Sequence, residues 1–226
     1  MIKAVVFDFG GVLVRTQTPA LRRQWEARLG LGQLELDRLI FDSDVAIRAT
    51  AGDGTNDDVW EYVARTLKLA PDQLAALYHD FWADDQLDRD LIALLALLRP
   101  RYKTAILSNA WSNGRDIIVG RFGLGSAVDT IIISAEERLA KPDRRLYRLA
   151  AERLGVQPAE AVFVDDYLPN VEGAQAAGWQ AIHFHAGLDM GAELEKLGVV
   201  TRPKYPQPYS RLGTDRPDPP HTGRCR

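Results

Sequence analysis

IKAVVFDFGGVLV, residues 2–14, begins as an apolar, β-branched run and stops at an acid followed, one residue on, by two glycines. A run this short, bounded by a turn signal, reads as a buried strand over residues 2–7. Four more runs of the same kind follow downstream. Residues 104–107 (TAIL) end at Ser108-Asn109, 130–133 at Ser134, and 161–164 (AVFV) at Asp165-Asp166; the last covers 180–184. Helical spacing fills the gaps, over 90–99, 114–122, 143–154 and 170–177. In the third of these, Leu146, Leu149, Ala150 and Leu154 share one face, and Gly155 stops the helix. Strands alternating with helices predict an α/β fold, a Rossmann-like parallel sheet with helices on both faces. In such sheets the polar residues at the carboxyl ends of the strands face the binding crevice. Here those positions hold Asp8, Ser108-Asn109, Ser134 and Asp165-Asp166.

Residues from about 16 to 88 break the alternation. They carry helical stretches around 21–41, 57–69 and 71–84, a turn at Gly52-Asp53-Gly54, and no convincing strand. The expected organisation is a core of residues 1–15 and 89–198, an all-helical cap insert of residues 16–88, and a Pro/Arg-rich tail of residues 199–226. The tail holds six of the twelve prolines and no apolar periodicity, and it is expected to be disordered.

The net charge is −3, and the tail alone carries six Lys/Arg against two Asp, so the body is acidic. Nothing in that balance points to nucleic acid or an anionic membrane. The single cysteine, Cys225, has no internal partner, so no oxidising compartment is implied. Residues 1–14 do not read as a signal peptide, and the apolar run 92–98 is far shorter than the roughly 20 residues of a membrane span. The expected protein is cytoplasmic, its oligomeric state is not legible, and its expected partner is a small phosphorylated metabolite.

The chemistry rests on four segments. Asp8, held at the end of a strand beside two glycines, suits a carboxylate nucleophile: the glycines let backbone N–H groups approach a phosphate. The same residue also suits an ordinary turn. Asp165 and Asp166 repel one another unless a cation sits between or beside them, and Mg²⁺ takes oxygen ligands. Asn170 either orients these acids or caps the next helix. Ser108-Asn109 precedes a helix and offers a hydroxyl, an amide and backbone N–H groups to phosphate. Lys141, before Pro142, is a cation suited to neutralising a phosphate and the nucleophile, with the proline expected to open a helix.

In this order the segments VVFDFGGVLV (5–14), AILSNA (105–110), AKPDRRLY (140–147) and VFVDDYLPNVEGAQAAGW (162–179) resemble the haloacid dehalogenase superfamily, and the insert resembles its type-1 cap. With GDGTNDDVWEYVARTLKL (52–69), they look like the subgroup of sugar-1-phosphate phosphatases and the amino-terminal phosphatase domain of soluble epoxide hydrolases. The resemblance implies a Mg²⁺-dependent phosphatase acting on a small phosphate monoester, a sugar phosphate being one candidate, through an aspartyl-phosphate. It implies Asp8 as nucleophile, Ser108, Asn109 and Lys141 around the phosphate, and Asp8, the Gly10 carbonyl and Asp166 on the metal. Asp165 is implied as a further ligand or as a residue behind the ligands.

One departure stands out. Most phosphatases of the superfamily carry a second Asp two residues after the nucleophile as general acid and base, and here that position is Gly10. Such help is worth about 10²–10⁴-fold. A catalytically weak phosphate- and metal-binding regulatory protein is therefore an alternative. A carbon–halogen hydrolase has no use for paired carboxylates, and a phosphosugar mutase depends more on the missing acid than a hydrolase does. Arg48 is a candidate substrate contact in the insert, with a solvated surface Arg the commoner case; His183 and His185 are expected in ordinary loop or core roles, His185 being the one that could approach the crevice.

Overall fold

The computed structural model describes residues 1–201. Most of the tail, with Cys225, lies outside the described residues. Val199 does not belong with that tail: it is buried in the core beside Leu194.

In chain order the elements begin with β1 (Ala4–Phe7), β2 (Val14–Thr16), α1 (Ala20–Leu29), α2 (Glu35–Phe41), α3 (Asp44–Thr50), α4 (Asn56–Leu67), α5 (Pro71–Trp82) and β3 (Asp85–Leu87). There follow α6 (Arg89–Leu98), β4 (Lys103–Ser108), α7 (Gly114–Asp116), β5 (Thr130–Ile133), α8 (Ser134–Glu137) and α9 (Arg144–Leu154). The last are β6 (Ala161–Asp165), α10 (Leu168–Ala176), β7 (Gln180–His183) and α11 (Met190–Lys196). A π-helical turn, Ile117–Arg121, continues α7.

Five strands form one parallel sheet in the order β5-β4-β1-β6-β7. The alternating side chains of β1 divide the core. Val5 and Phe7 join Leu91, Leu95 and Leu98 of α6, and Met190 and Leu194 of α11, on one face. Ala4 and Val6 join Leu146, Tyr147 and Ala150 of α9, and Ala174 of α10, on the other. Burial on both faces is why these strands read as unbroken apolar runs. The chain leaves central β1 for β4 and β5 on one side and later returns to β6 and β7 on the other. That reversal opens a crevice at the carboxyl end of β1, between β4 and β6.

The insert folds around its own apolar cluster, including Trp25, Leu36, Ile40, Val59, Trp60, Val63, Leu77 and Phe81, with Trp111 of the core packed against it. Two expectations change here. The stretch 21–41 is two helices, because Gly30 ends α1 in a left-handed conformation at φ 68°. The insert is also not wholly helical. β2 and β3 pair antiparallel, Val14 with Leu87 and Thr16 with Asp85, as a two-stranded ribbon joining insert to core. Arg22 fastens that joint by donating to Asp37, to the Thr16 hydroxyl and to the Phe81 carbonyl, at 2.7–3.0 Å.

Candidate active site

Asp8 follows β1 directly and lies at the floor of the crevice, 8% exposed. Its Oδ1 accepts the Phe9 N–H at 2.7 Å and lies 2.8 Å from Lys141 Nζ. Among the described residues no donor reaches its Oδ2. Burial pushes the Asp8 carboxyl up to about 7, opposed by the Lys141 ammonium and reinforced by the Asp165 charge. Lys141 is buried too, and burial pulls its ammonium down. The facing Asp8 and Asp165 carboxylates outweigh that and hold it above its ordinary value. The pair is therefore an ammonium held by two acids, with one carboxylate oxygen left toward open space.

Lys141 also lies 2.7 Å from Asp165 Oδ2. Asp165 ends β6 with no exposure at all, and its oxygens accept the Tyr167 N–H at 2.8 Å and the Asn170 amide at 3.0–3.2 Å. Its two oxygens are thus occupied, and it acts as the buried counter-charge that aims Lys141. Asn170 sits inside α10 rather than at its start, so it orients Asp165 and does not cap the helix. Pro142 likewise does not open α9; Asp143 caps it, accepting from Arg145 N–H.

Asp166 is the acid that faces the crevice. Burial, then the Asp165 charge, pushes its carboxyl up. Its closeness to the turn after β1 is visible at Gly11. A Cβ there would lie 2.2 Å from Asp166 Oδ2, and the backbone φ is +82°. Only glycine satisfies both conditions. One carboxylate oxygen from each of Asp8, Asp165 and Asp166 lies within 4.8 Å of the others. Three acids face a single ammonium there, which leaves negative charge in excess, and the donors are all hard oxygens. That set suits Mg²⁺, with Asp8 and Asp166 the acids that have oxygens to offer.

Ser108 ends β4, buried beside Asp8 on the crevice wall. The Asn109 side chain is committed elsewhere: its amide donates to the Lys141 carbonyl at 3.0 Å and its oxygen accepts the Lys141 N–H at 2.8 Å. It clamps the lysine's backbone with one amide N–H and its oxygen from a position on the cavity lining. Ser134 is fully buried and exchanges hydrogen bonds with the Ala110 backbone at 3.0 and 3.1 Å, so it fastens β5 to the loop after β4.

Above the floor a cavity of about 720 Å³ lies between core and insert. Arg48 is exposed and not among its lining residues. Of the two histidines, His183 approaches the site, its Nε2 2.9 Å from the Asp166 carbonyl, while His185 meets only its neighbour Ala186. The sequence reading missed the aromatic wall. Phe41 from the insert lies with its ring centroid 5.9 Å from that of Trp82, also of the insert, and 5.9 Å from that of Trp111 in the loop after β4. Phe9 and Phe122 form an edge-on pair at 5.5 Å on the core side. Trp111 stands beside polar Ser112 in AWSN, and Trp82, next to Phe81 at the end of a helical stretch, reads like any core aromatic.

The haloacid dehalogenase-like hydrolase family matches residues 2–178. The chain is 32% identical to the (S)-2-haloacid dehalogenase of Xanthobacter autotrophicus, over 79% of this chain and 73% of that one. It is 27% identical to the sesquiterpene phosphatase astK of Aspergillus oryzae, over 86% and 96%. It matches mouse acyl-CoA dehydrogenase family member 10 at 28% identity over 86% of its length but spans only 19% of that protein. A HAD family enzyme from Bacteroides thetaiotaomicron, solved with magnesium and inorganic phosphate, shares the fold with a TM-score of 0.69 at 21% identity, covering 85% of this chain and 99% of that one. The chain belongs to the haloacid dehalogenase-like hydrolase family.

Proposed function

We propose that this haloacid dehalogenase-like hydrolase is a Mg²⁺-dependent phosphatase that cleaves a phosphate monoester through an aspartyl-phosphate on Asp8. The observation that carries the reading is the charge imbalance at the strand ends: Asp8, Asp165 and Asp166 against Lys141 alone among the described residues. A phosphate dianion enters such a site only with a further cation. Mg²⁺ held by Asp8, the Gly10 carbonyl and Asp166 would supply it and draw charge from the phosphate oxygens.

The Asp8 carboxylate attacks phosphorus, and the bond from phosphorus to the alcohol oxygen breaks. Lys141 and the Ser108 hydroxyl neutralise and orient the phosphate. The departing oxygen takes its proton from water, since Gly10 carries none. A second water then attacks the aspartyl-phosphate, releasing inorganic phosphate and restoring the Asp8 carboxylate. A phosphatase among the relatives, astK, supports this chemistry.

The similarity to a 2-haloacid dehalogenase favours a second reading, displacement of halide by the same Asp8. Its substrate is a carboxylate and calls for an unpaired cation. The guanidiniums and the ammonium lining or flooring this cavity already face acids or carbonyls: Lys141 with Asp8 and Asp165, Arg22 with Asp37, Arg15 with Asp88, Arg121 with the Trp82 carbonyl. The experiment is hydrolysis of 4-nitrophenyl phosphate with Mg²⁺, with EDTA, and by Asp8→Asn. Turnover that chelation and Asp8→Asn each cut at least a hundredfold is expected. Chloride release from 2-chloropropionate in EDTA would move the assignment to dehalogenation. Mg²⁺ and phosphate binding without any turnover would favour the regulatory alternative.

A further inference from the structure

We infer that the alcohol released is apolar, a chain or ring of drug-like size rather than a sugar; this rests on the phosphatase reading. The cavity over Asp8, at about 720 Å³, is well within the range that encloses such a ligand. Its wall is built from Phe41, Trp82, Trp111, Phe9, Phe122 and Ile117. Phe41 keeps 42% of its surface exposed although α2, which carries it, has a full apolar face buried elsewhere. A large ring left facing a cavity is a contact surface in waiting.

The polar side chains of the same wall point to the same conclusion. A sugar is recognised by side chains that can exchange hydrogen bonds with several hydroxyls, and a buried polar group is costly unless satisfied. Here most of them are spent on the protein, the Asn113 amide and the Tyr78 hydroxyl being the exceptions on the wall among the described residues. The Thr50 hydroxyl accepts Trp111 Nε1–H at 3.1 Å. The Thr16 hydroxyl donates to Asp85 at 2.7 Å and accepts from Arg22 at 3.0 Å. Arg22 also serves Asp37 and the Phe81 carbonyl and stacks 3.9 Å over the Phe81 ring. Arg121 donates to the Trp82 carbonyl at 2.6 Å, and the Asn56 amide donates to Asp57. These bonds hold the rings in place and leave Asn113 and Tyr78 as the wall's open polar side chains among the described residues, fewer than a polyol's several hydroxyls call for. The floor is anion chemistry and the wall is hydrocarbon chemistry, a division that fits an amphiphilic monoester.

The test is kcat/KM in saturating Mg²⁺ for ethyl, butyl and octyl phosphate, each below its micelle concentration, beside glucose 1-phosphate. A fully buried methylene is worth at most about fourfold. Octyl phosphate is expected to exceed ethyl phosphate and glucose 1-phosphate by at least tenfold, and Phe41→Ser should lower the octyl-to-ethyl ratio at least threefold. Calorimetric Kd values for octyl and ethyl phosphate on Asp8→Asn read the wall without turnover and should differ at least tenfold in the same sense. A flat series with equal Kd values, in an enzyme that hydrolyses 4-nitrophenyl phosphate, overturns the inference and leaves the phosphatase reading standing. Absence of hydrolysis of every phosphate sinks the phosphatase reading, and the Kd pair then judges the apolar wall alone. If Phe41→Ser does not fold, the wild-type series and the Kd pair remain decisive.

Discussion

Lys141→Met is the sharpest perturbation this site offers, because it removes the ammonium from between two carboxylates while keeping an unbranched side chain. The lysine side chain is 1% exposed, with Nζ 2.8 Å from Asp8 and 2.7 Å from Asp165. Removing one partner of a buried ion pair costs about 3–5 kcal/mol, because the charge left behind is uncompensated. For a chain of this size each kcal/mol lowers Tm by about 2–4 °C, so the variant should melt about 6–20 °C below the wild type at pH 8. The pH dependence follows from linkage. Without the ammonium, the folded-state carboxyl of Asp8 rises further above its unfolded value. Between those values the folded variant binds more protons than the unfolded chain, so it gains stability as pH falls and loses it as pH rises. The deficit should therefore be widest at pH 8 and narrowest at pH 5. Circular dichroism melts in EDTA at both pH values read it, and Asp165→Asn added to Lys141→Met should restore part of the loss. A deficit under 3 °C, or one that does not change with pH, would refute the claim that these charges hold one another in the core.

The nucleophile itself should carry a stability cost. Burial raises Asp8 to about 7, so its protonated form favours folding below the ordinary carboxyl value and that advantage is lost as pH climbs through 7. Asp8→Asn should accordingly melt above the wild type at pH 8 in EDTA and close to it at pH 5; a lower Tm at pH 8 would contradict the sign. Gly11→Ala meets φ +82° and a 2.2 Å approach to Asp166, so it should raise the Mg²⁺ concentration for half-maximal activity at least tenfold, read by titration. Asp166→Ala should abolish Mg²⁺-dependent turnover, and full activity in this variant would remove Asp166 from the metal. Gly10→Asp should flatten the dependence of rate on leaving-group acidity across aryl and alkyl phosphates, whereas the wild type should show a steep one; a shallow wild-type slope would mean that another residue already donates the proton.

What was legible in the sequence followed from burial. Strands buried on both faces must be apolar throughout, so 104–107, 130–133 and 161–164 could be read within a residue or two, and their polar ends pointed at the crevice. The β2–β3 ribbon could not be read this way. Its strands are three residues long and pair across about seventy residues, with sides neither wholly buried nor alternating. Residues at strand ends were found by type, but type does not give commitment. Asn109 stands where a phosphate contact was expected, and Asp165 where a metal ligand or a residue behind the ligands was. Yet the side chain of the first is used by the Lys141 backbone, and that of the second by Lys141, Tyr167 and Asn170. The aromatic wall was hidden for the opposite reason. Phe41, Trp82 and Trp111 sit on three separate segments, and an aromatic facing a cavity has the same sequence signature as one facing a core.

The two glycines after Asp8 divide the constraints on this site between geometry and chemistry. Gly11 is imposed by space, since any side chain there displaces the acid expected to bind metal. Gly10 is not: a Cβ built on it meets nothing within 4 Å, and its backbone does not lie in the left-handed region. Neither space for a Cβ nor backbone conformation demands glycine at that position. An enzyme without that acid gives up about 10²–10⁴-fold on poor leaving groups. What it keeps is an uncharged surface beside the nucleophile, where a carboxylate would have to stay hydrated. Apolar burial stabilises binding only over the area removed from water, and a hydrated carboxylate at position 10 would shrink that area beside the ring wall. The glycine and the aromatic wall thus fit one substrate, and a Gly10→Asp variant that gains on short, poor leaving groups should lose on long apolar ones.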